Sequence, residues 1–549
     1  MTFGPFIGII IPMNGGEIMS LVHLKNKKTG VTYVYESTGY WDKEKQQARN
    51  NRKCIGKLDP NTGKLIPSKK DESDTSASLT KQRSLPPIAY KRSFYGTTYL
   101  FDAIGDNLGI TEDLKLCFPT TYKQILSIAY YLITEDRNPM SRFSKWALTH
   151  SHPFGKDIPS QRISELLASI EEDAKQNFFL LQSKRRLEEE YLAYDTTSIS
   201  SYSKLLKQVK YGVNKEHDPL PQINLALIFG ETSRLPVYYR KLPGNISDVK
   251  TIVNMLADID FLKLDKVKLV MDRGFYSEAN VNELYRKHYK FLMGAKISLK
   301  FIKSKLDEVR SSMVSRNHYS SKHGLYYDSF LTDWHYNETK KRSGETLKDT
   351  RRLYLHLYYN DQHATDDKIA FNKLLDTLEE ELMSGKRNLE HEKLYTKYYE
   401  IKETLVRGMS LTPKEDAILE AEKNYGYFAL ISNGIKDPLD ALDIYRSKDV
   451  IEKAFGNLKE RLNMRRTSVS SEENLDGKLF VQFVALIFLS YIKKTMSDND
   501  LFKNYTIQEL LDELDIIECF KQAGHLQRIG EMTKKQMNIY KHLGVALPS

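Results

Sequence analysis

Three acidic residues fall where one divalent-cation site could gather them: Asp195 in Tyr191-Leu-Ala-Tyr-Asp-Thr-Thr197, Asp272 directly after Lys268-Leu-Val-Met271, and Glu452 in Lys448-Asp-Val-Ile-Glu452. Hard carboxylate oxygens at a few points of one fold suit Mg²⁺ or Mn²⁺, which take few protein ligands and keep positions for water and phosphate. Two such ions ~3.5–4 Å apart activate an attacking oxygen and stabilise the leaving one. With 72 acidic residues in the chain, three can always be chosen, so the neighbours of Glu452 must decide. At about 100° per helical residue, Lys448 lies about 40° and Lys459 about 20° from Glu452, and Tyr445 about 20° away if the helix reaches back that far. Val450, Ile451, Ala454, Leu458 and Leu462 point broadly to the other side. One face reads as core and the other presents a carboxylate beside two lysines and a tyrosine. An amphipathic helix with a solvated face accounts for that pattern equally well.

The elements that must position these groups form an α/β chain, mixed α+β in its separate parts. Residues 191–197, 223–229 and 235–239 read as three successive strands; a helix over 249–256, a strand over 267–271, a helix over 278–288 and a short strand over 291–295 follow. Three antiparallel strands, a helix and a further strand make the order of an RNase H-like core. Residues 298–424 interrupt it. They hold an alternating strand over 353–358, charged helices over 366–382 and 389–405, and a helix opening at Thr412-Pro-Lys-Glu415, which has the form of a capping box with proline at the first helical position. An insertion domain explains that length better than a structureless loop. Strand character resumes over 427–431 and a helix starts at Asp437-Pro438. The core is therefore divided as 191–297 and 425–495, with a C-terminal helical region over 496–549.

N-terminal to the core, residues 19–70 read as a small basic β module, with twelve Lys/Arg against four Asp/Glu and the aromatics Tyr33, Tyr35, Tyr40 and Trp41. Such a module suits DNA phosphates and bases. Residues 1–18 are expected to be an artefactual leader, since Gly15-Gly16-Glu17 must be encoded by a ribosome-binding-site-like run just before Met19. Residues 71–93 read as a polar linker and 94–190 as a helical DNA-binding region, in which 162–170 has the look of a recognition helix, though helical packing explains it about as well. The apolar run 479–492 is short for a membrane span and carries Gln482 and Ser490; it reads as a buried core helix. Three distant cysteines give neither a disulfide framework nor a CxxC metal pair. The charge balance of 82 Lys+Arg against 72 Asp+Glu, +10, favours an anionic partner. Trp334 could stack on a flipped base, although a lone tryptophan is more often a packing residue. His150, His152 and His217 lack ligand spacing. The basic, tyrosine-rich run 393–402 suits either DNA backbone or a solvated helix face.

Tyr445-x₂-Lys448-x₃-Glu452-x₆-Lys459 resembles the Y-x₂-R-x₃-E-x₆-K signature of DDE transposases of insertion-sequence family four. Asp272-Arg-Gly-Phe-Tyr-Ser277 is similar to the segment bearing that family's second aspartate, Asp195-Thr-Thr to the first, and Gly244-Asn-Ile-Ser-Asp248 to a turn of the same proteins. The resemblance spans roughly residues 21–548. Lys448 stands where the family usually has arginine and keeps the charge without the bidentate phosphate contact, for which Arg446 is a substitute. The resemblance implies an RNase H-like catalytic core with an insertion before the glutamate, and the gaps of 77 residues (195 to 272) and 180 (272 to 452) leave room for it there. It implies that Asp195, Asp272 and Glu452 are catalytic and hold two Mg²⁺ (or Mn²⁺) ions, and that Tyr445, Lys448, Lys459 and Arg273 hold phosphates. It further implies a bacterial, cytoplasmic protein acting on double-stranded DNA, both transposon ends and target, as at least a homodimer in the assembled complex and with no membrane partner. A related nuclease without strand transfer and a catalytically inactive end-binding protein are the rivals.

Overall fold

Alternation of residue types over 31–35, with Gly30 and Gly39 as punctuation, is a strand signal, and in a computed structural model of the chain it opens a strand that runs on to Asp42. The structure describes residues 9–12, 18–26, 29–42, 47–60, 62–67, 91–185, 190–203, 205–215, 218–264, 267–339, 346–404, 408–467, 469, 471–522 and 527–548. The chain separates into two compact units, Met1–Ala89 and Tyr90–Ser549. The first is an antiparallel sheet in chain order: β1 (Ile9–Pro12), β2 (Ile18–Lys25), β3 (Thr32–Asp42), β4 (Gln47–Leu58) and β5 (Leu65–Pro67). Val34 is buried, while Arg49, Arg52, Lys53 and Lys57 of β4 are exposed. The first twenty residues of the expected linker, and His217, lie outside the described residues.

The second unit opens with β6 (Lys91–Phe94) and six helices: α1 (Gly96–Asn107), α2 (Ile110–Cys117), α3 (Tyr122–Thr134), α4 (Phe143–Thr149), α5 (Ser160–Ala168) and α6 (Glu172–Arg185). The central sheet is then built from β7 (Tyr191–Ser201), β8 (Gln222–Gly230) and β9 (Pro236–Pro243), followed by α7 (Asp248–Leu262), β10 (Lys268–Met271), α8 (Glu278–Arg286) and β11 (Lys290–Ala295). The spatial order is β9-β8-β7-β10-β11, antiparallel among the first three and parallel across β7, β10 and β11. β8 is buried along its whole length, as expected of a strand covered on both faces.

After β11 come α9 (Lys300–Met313), β12 (Tyr319–Ser320), β13 (Leu325–Thr339), β14 (Thr346–Tyr359), α10 (Asp361–Ser384), α11 (Glu392–Tyr398), β15 (Tyr399–Thr404), β16 (Gly408–Pro413), α12 (Glu415–Glu422) and β17 (Tyr427–Ser432). β17 pairs with β11, β14 with β17 and β13 with β14, so β12–β14 continue the central sheet. Residues 361–422 instead gather a small core of their own, with Phe371, Leu378, Leu382, Tyr395 and Tyr398 at its centre. Two local expectations fail here. The helix expected over 389–405 is a short helix followed by the hairpin β15–β16, because Tyr399, Ile401 and Leu411 join that small core through a period of two. The helix expected to open at Thr412 starts at Glu415 with no side-chain cap, because Thr412 and Pro413 are held in β16.

The remaining elements are α13 (Pro438–Ser447), α14 (Asp449–Gly456), a π-helical turn over Asn457–Arg461, β18 (Arg466–Thr467), α15 (Glu472–Asp498), α16 (Ile507–Asp515), β19 (Glu518–Lys521), β20 (Arg528–Ile529) and α17 (Lys534–His542). α15 is the expected core helix. It is long and apolar enough to cross a membrane, but its apolar window lies 83% inside the fold. Phe480 and Phe488 meet Phe178, Phe118, Phe101 and Tyr130 edge-on or tilted, joining the helical region to the sheet. β19 pairs with β6, so the C-terminal region is tied to the start of the unit.

His356 of β14 is fully buried, with Nδ1 2.9 Å from Ser329 Oγ and Nε2 3.2 Å from the Ile435 carbonyl. Burial lowers its pKa to about 4. The unfolded chain therefore binds the extra proton first, and the stability held above about pH 6.5 is lost as pH falls toward 4. Urea unfolding at pH 7 and pH 5 should show that His356→Gln removes about 2 kcal/mol of this pH dependence; an unchanged difference between the two pH values would contradict the assignment. His152, similarly lowered to about 4, contributes in the same direction and remains in the variant.

Candidate functional site

β7 and β10 are parallel neighbours in the register Tyr194↔Met271, so the residue following each pair member, Asp195 and Asp272, comes to the same edge of the adjoining strands. β10 ends there and Asp272 caps a 3-10 turn, Arg273–Phe275, with Phe275 buried against Tyr194 as the anchor of that turn. Asp195 is nearly buried, and its Oδ1 accepts a hydrogen bond from the Thr196 amide at 2.7 Å.

The third carboxylate arrives on α14. α13 packs by Ala441 and Leu442 on the sheet face formed by Val270, Leu292 and Leu430, which brings Tyr445 over the end of β10. The Tyr445 hydroxyl donates to Asp272 Oδ1 at 2.7 Å. Gly294 of β11 is required for this approach, since a Cβ there would stand 2.8 Å from the Tyr445 oxygen and 2.9 Å from the Arg273 nitrogen. Lys448 closes α13 and precedes α14; only 6% exposed, it donates from Nζ to Glu452 Oε1 at 3.1 Å. Ile451, Ala454 and Leu458 are buried on the core side, as their spacing predicts.

Electrostatics make the cluster asymmetric. Burial pushes the Asp195 carboxyl above its usual range, and the Asp272 charge adds to this against the opposing pull of Lys215 and Lys448. Burial acts the same way on Asp272, but the Tyr445 hydrogen bond and the Lys448 charge outweigh it and leave its pKa lowered. For Lys448, burial disfavours the ammonium, yet Asp195, Asp272 and Glu452 more than offset this and hold its pKa above the ordinary lysine value. The lysine is thus the internal counter-ion of all three acids.

The π-helical turn keeps Lys459 on the cleft side. The Leu462 amide bonds back to the Asn457 carbonyl at 3.0 Å, and Gln482 of α15 donates to the Leu462 carbonyl at 2.6 Å, fixing the turn from behind. π-turns recur at functional positions in helices. β18 then pairs in parallel with the end of β7. The result is a cleft of about 500 Å³ lined by Asp195, Thr196, Lys215, Glu452, Lys459 and Arg465, among others.

Two groups in this cleft were not singled out as site residues in the sequence. Lys215 Nζ donates to the Thr196 carbonyl at 2.7 Å and lies 3.6 Å from Asp195 Oδ1 and 3.3 Å from Asp248 Oδ2. Asp248 in turn accepts from the Thr196 hydroxyl. The Gly244-to-Asp248 turn marked the position of Asp248 without giving it a role; Lys215, on a loop, carried no signal. Arg273 is exposed beside Asp272. Arg446 lines a different cavity, with Lys453 and Lys493. Trp334 is spent on packing: its indole N–H donates to Asn282 Oδ1 at 2.8 Å and its ring meets Phe301 edge-on at 6.1 Å.

Among the described residues, no group of three or more His, Cys, Asp or Glu side chains is gathered tightly enough to hold a metal ion as it stands. Glu452 is instead hydrogen-bonded to Lys448. The donor chemistry nevertheless fits a hard divalent cation. All three donors are carboxylate oxygens, Asp195 lacks enough positive charge to match its burial, and Glu452, 59% exposed, has room to turn.

Residues 187–488 match the model of the transposase DDE domain. No curated protein matches the chain. Among solved structures, the chain is similar to one described as the piggyBac transposase synaptic complex with hairpin DNA, at 9% identity over 77% of each chain with a TM-score of 0.35.

Replacing Lys448 by methionine keeps the length and removes the counter-ion. Breaking a buried charge set in this way costs on the order of 3 kcal/mol. Urea unfolding of Lys448→Met should show that loss, and Lys448→Arg should recover most of it. Equal stability of wild type and Lys448→Met would mean that the three acids do not depend on this ammonium.

Proposed function

The chain belongs to the transposase DDE-domain family, and from this premise we propose that it cleaves transposon ends and joins the freed 3′ ends to target DNA. The observation that carries the reading is the meeting of Asp195 and Asp272 across β7 and β10, with Glu452 lining the same cleft as Asp195 and Lys448 shared by all three acids. The sheet order β9-β8-β7-β10-β11, with three antiparallel strands followed by two parallel ones, supports an RNase H-like core. The tight hydrogen-bond network around Thr196 gives the first aspartate a fixed orientation, as a metal ligand or general base requires.

In this reading Asp195, Asp272 and Glu452 would hold two Mg²⁺ or Mn²⁺ ions, which would supply an activated oxygen nucleophile and neutralise charge on the scissile phosphate. Lys459 and Arg465, on the cleft wall, attract the phosphodiester and hold it against the acids. Tyr445 orients Asp272, and Lys448, the counter-ion of the acids, would hold a phosphate oxygen beside them. Arg273, exposed beside Asp272, reaches the flanking phosphate. A water oxygen attacks phosphorus and the 3′ oxygen leaves with a proton; that 3′-OH then attacks a phosphodiester of the target and displaces its 3′ oxygen. Substrate and product keep the same number of phosphodiester bonds in the second step, so no external energy source is needed. The basic β sheet of the first unit and the helices over 94–190 are assigned to recognition of the terminal repeats. The assembled complex is proposed to be a homodimer on double-stranded DNA, in the cytoplasm of a bacterial cell.

The direct test is cleavage of labelled DNA bearing the element's ends, with Mg²⁺ or EDTA. The wild type should nick at the end and yield a strand-transfer product only with Mg²⁺, while Asp272→Ala should bind the same DNA and produce neither. Nicking without transfer product would assign a nuclease instead. Cleavage surviving in Asp272→Ala would overturn the site.

A further inference from the structure

A second cavity, of about 710 Å³, lies on the flank of α14 away from Glu452. It is assembled from three separated segments: the β8–β9 turn, the α13–α14 junction and the C-terminal half of α15. Five cations line it, Arg234, Arg446, Lys453, Lys493 and Lys494, against the carboxylates Glu231 and Asp449. Lys453 is paired with Asp449, and Lys494 with Asp498 at 2.6 Å. Arg446 and Lys493 have no ion pair among the described residues. Burial and the neighbouring Lys453 and Arg461 charges disfavour the Lys493 ammonium. Three of the five cations are thus matched by Asp449 and Asp498, and the surplus on Arg446 and Lys493 favours an anionic ligand there.

Two further observations point into the same cavity. Ser490, 4% exposed on α15, has an Oγ with no hydrogen-bond partner, and it lines the cavity. A buried hydroxyl without a partner is unfavourable, and a hydrogen bond to a ligand oxygen would recover that cost. Arg234 holds φ 53°, a conformation uncommon for a residue with a side chain, with its guanidinium 3.3 Å from Ser497 Oγ and 3.7 Å from Asp498. Strain of this kind persists where the surrounding structure over-determines a side-chain position.

The shape selects more than a bare anion. Phe229, Val450 and Ala454 give the cavity apolar walls and Phe502 adds an exposed ring. The volume is in the range of small-molecule sites and far exceeds what one phosphate fills. We propose that this cavity is a nucleotide site separate from the catalytic cleft: the phosphate is held by Arg446 and Lys493, and the base lies against the apolar wall beside Phe502. The nucleotide is either free or one unit of a DNA strand, the recognising chemistry being the same.

The test is fluorescence-detected competition and calorimetry on the full chain with three probes: inorganic phosphate, thymidine 5′-monophosphate and a single-stranded twelve-nucleotide DNA. The mononucleotide should bind more tightly than phosphate. Lys493→Gln and Arg446→Gln should each weaken it about tenfold, as expected for one lost charge-assisted contact, and Asp272→Ala should leave it unchanged. Oligonucleotide binding that depends on Lys493, without mononucleotide binding, would identify a nucleotide within a strand as the source. Should either variant melt below the wild type, Ser490→Ala, which removes only the hydroxyl, serves as the second reading and should weaken binding less. Binding of neither nucleotide probe, or binding insensitive to Lys493→Gln and Arg446→Gln, overturns the proposal. Because the readout is binding away from Asp272, it can fail while the cleavage reading stands, and the reverse.

Discussion

Two aspartates at the same edge of adjoining parallel strands repel each other and lose hydration, and a fold that holds them there must supply positive charge. Here Lys448 supplies it from the junction of α13 and α14, within hydrogen-bonding distance of the third acid. Much of the surrounding structure serves that arrangement. The parallel register of β7 and β10 sets the pair, Gly294 leaves room for Tyr445, and the apolar contacts of α13 and α14 bring the lysine inward. The charge is divided unevenly, with Asp272 eased toward the ionised form by Tyr445 and Asp195 pushed the other way by burial. Such unequal carboxylates are the usual starting point for a site in which one group binds charge firmly and the other responds to its arrival.

The long helix α15 gives this arrangement its rigidity. It is apolar nearly all round because it is buried between the helical region and the sheet, and Gln482 on it secures the end of the π-helical turn that carries Lys459. Its C-terminal half stays in the core through Leu489, Ile492 and Met496 and turns Ser490, Lys493 and Lys494 to the cationic cavity. One element thus braces the acidic cleft from behind and furnishes a wall of the basic one, with α14 between the two.

How much of this could be read from the sequence depended on distance along the chain. The strands carrying Asp195 and Asp272 were legible because each is an apolar run ending at a polar residue. The grouping of Tyr445, Lys448, Glu452 and Lys459 was legible because it is nearly one helix, although the helix breaks at Lys448 and widens at Asn457. β13 went unread, since its half-exposed alternation of Tyr, Asp, Phe and Trp becomes a strand only beside β14. β15 was read as the end of a helix because its charges masked a period of two that only the small core around Phe371 makes meaningful. Lys215 and Asp248 could not be paired from sequence at all, since their contact, shared with Thr196, is closed only by tertiary folding. The cationic cavity shares that cause: Arg234, Arg446 and Lys493 are separated by more than forty residues at each step.

If the segments around residues 195, 272 and 452 converge on a single cation-binding cleft, a reactive metal bound there reaches all three. Replacing Mg²⁺ by Fe²⁺ and adding ascorbate and peroxide generates hydroxyl radicals at the bound metal, which cut the backbone within a short radius. Convergence gives three clusters of cuts, near residues 195, 272 and 452, all suppressed by excess Mg²⁺ and by Asp272→Ala. Cuts confined to one of these segments, or clustered elsewhere in the chain, would contradict it.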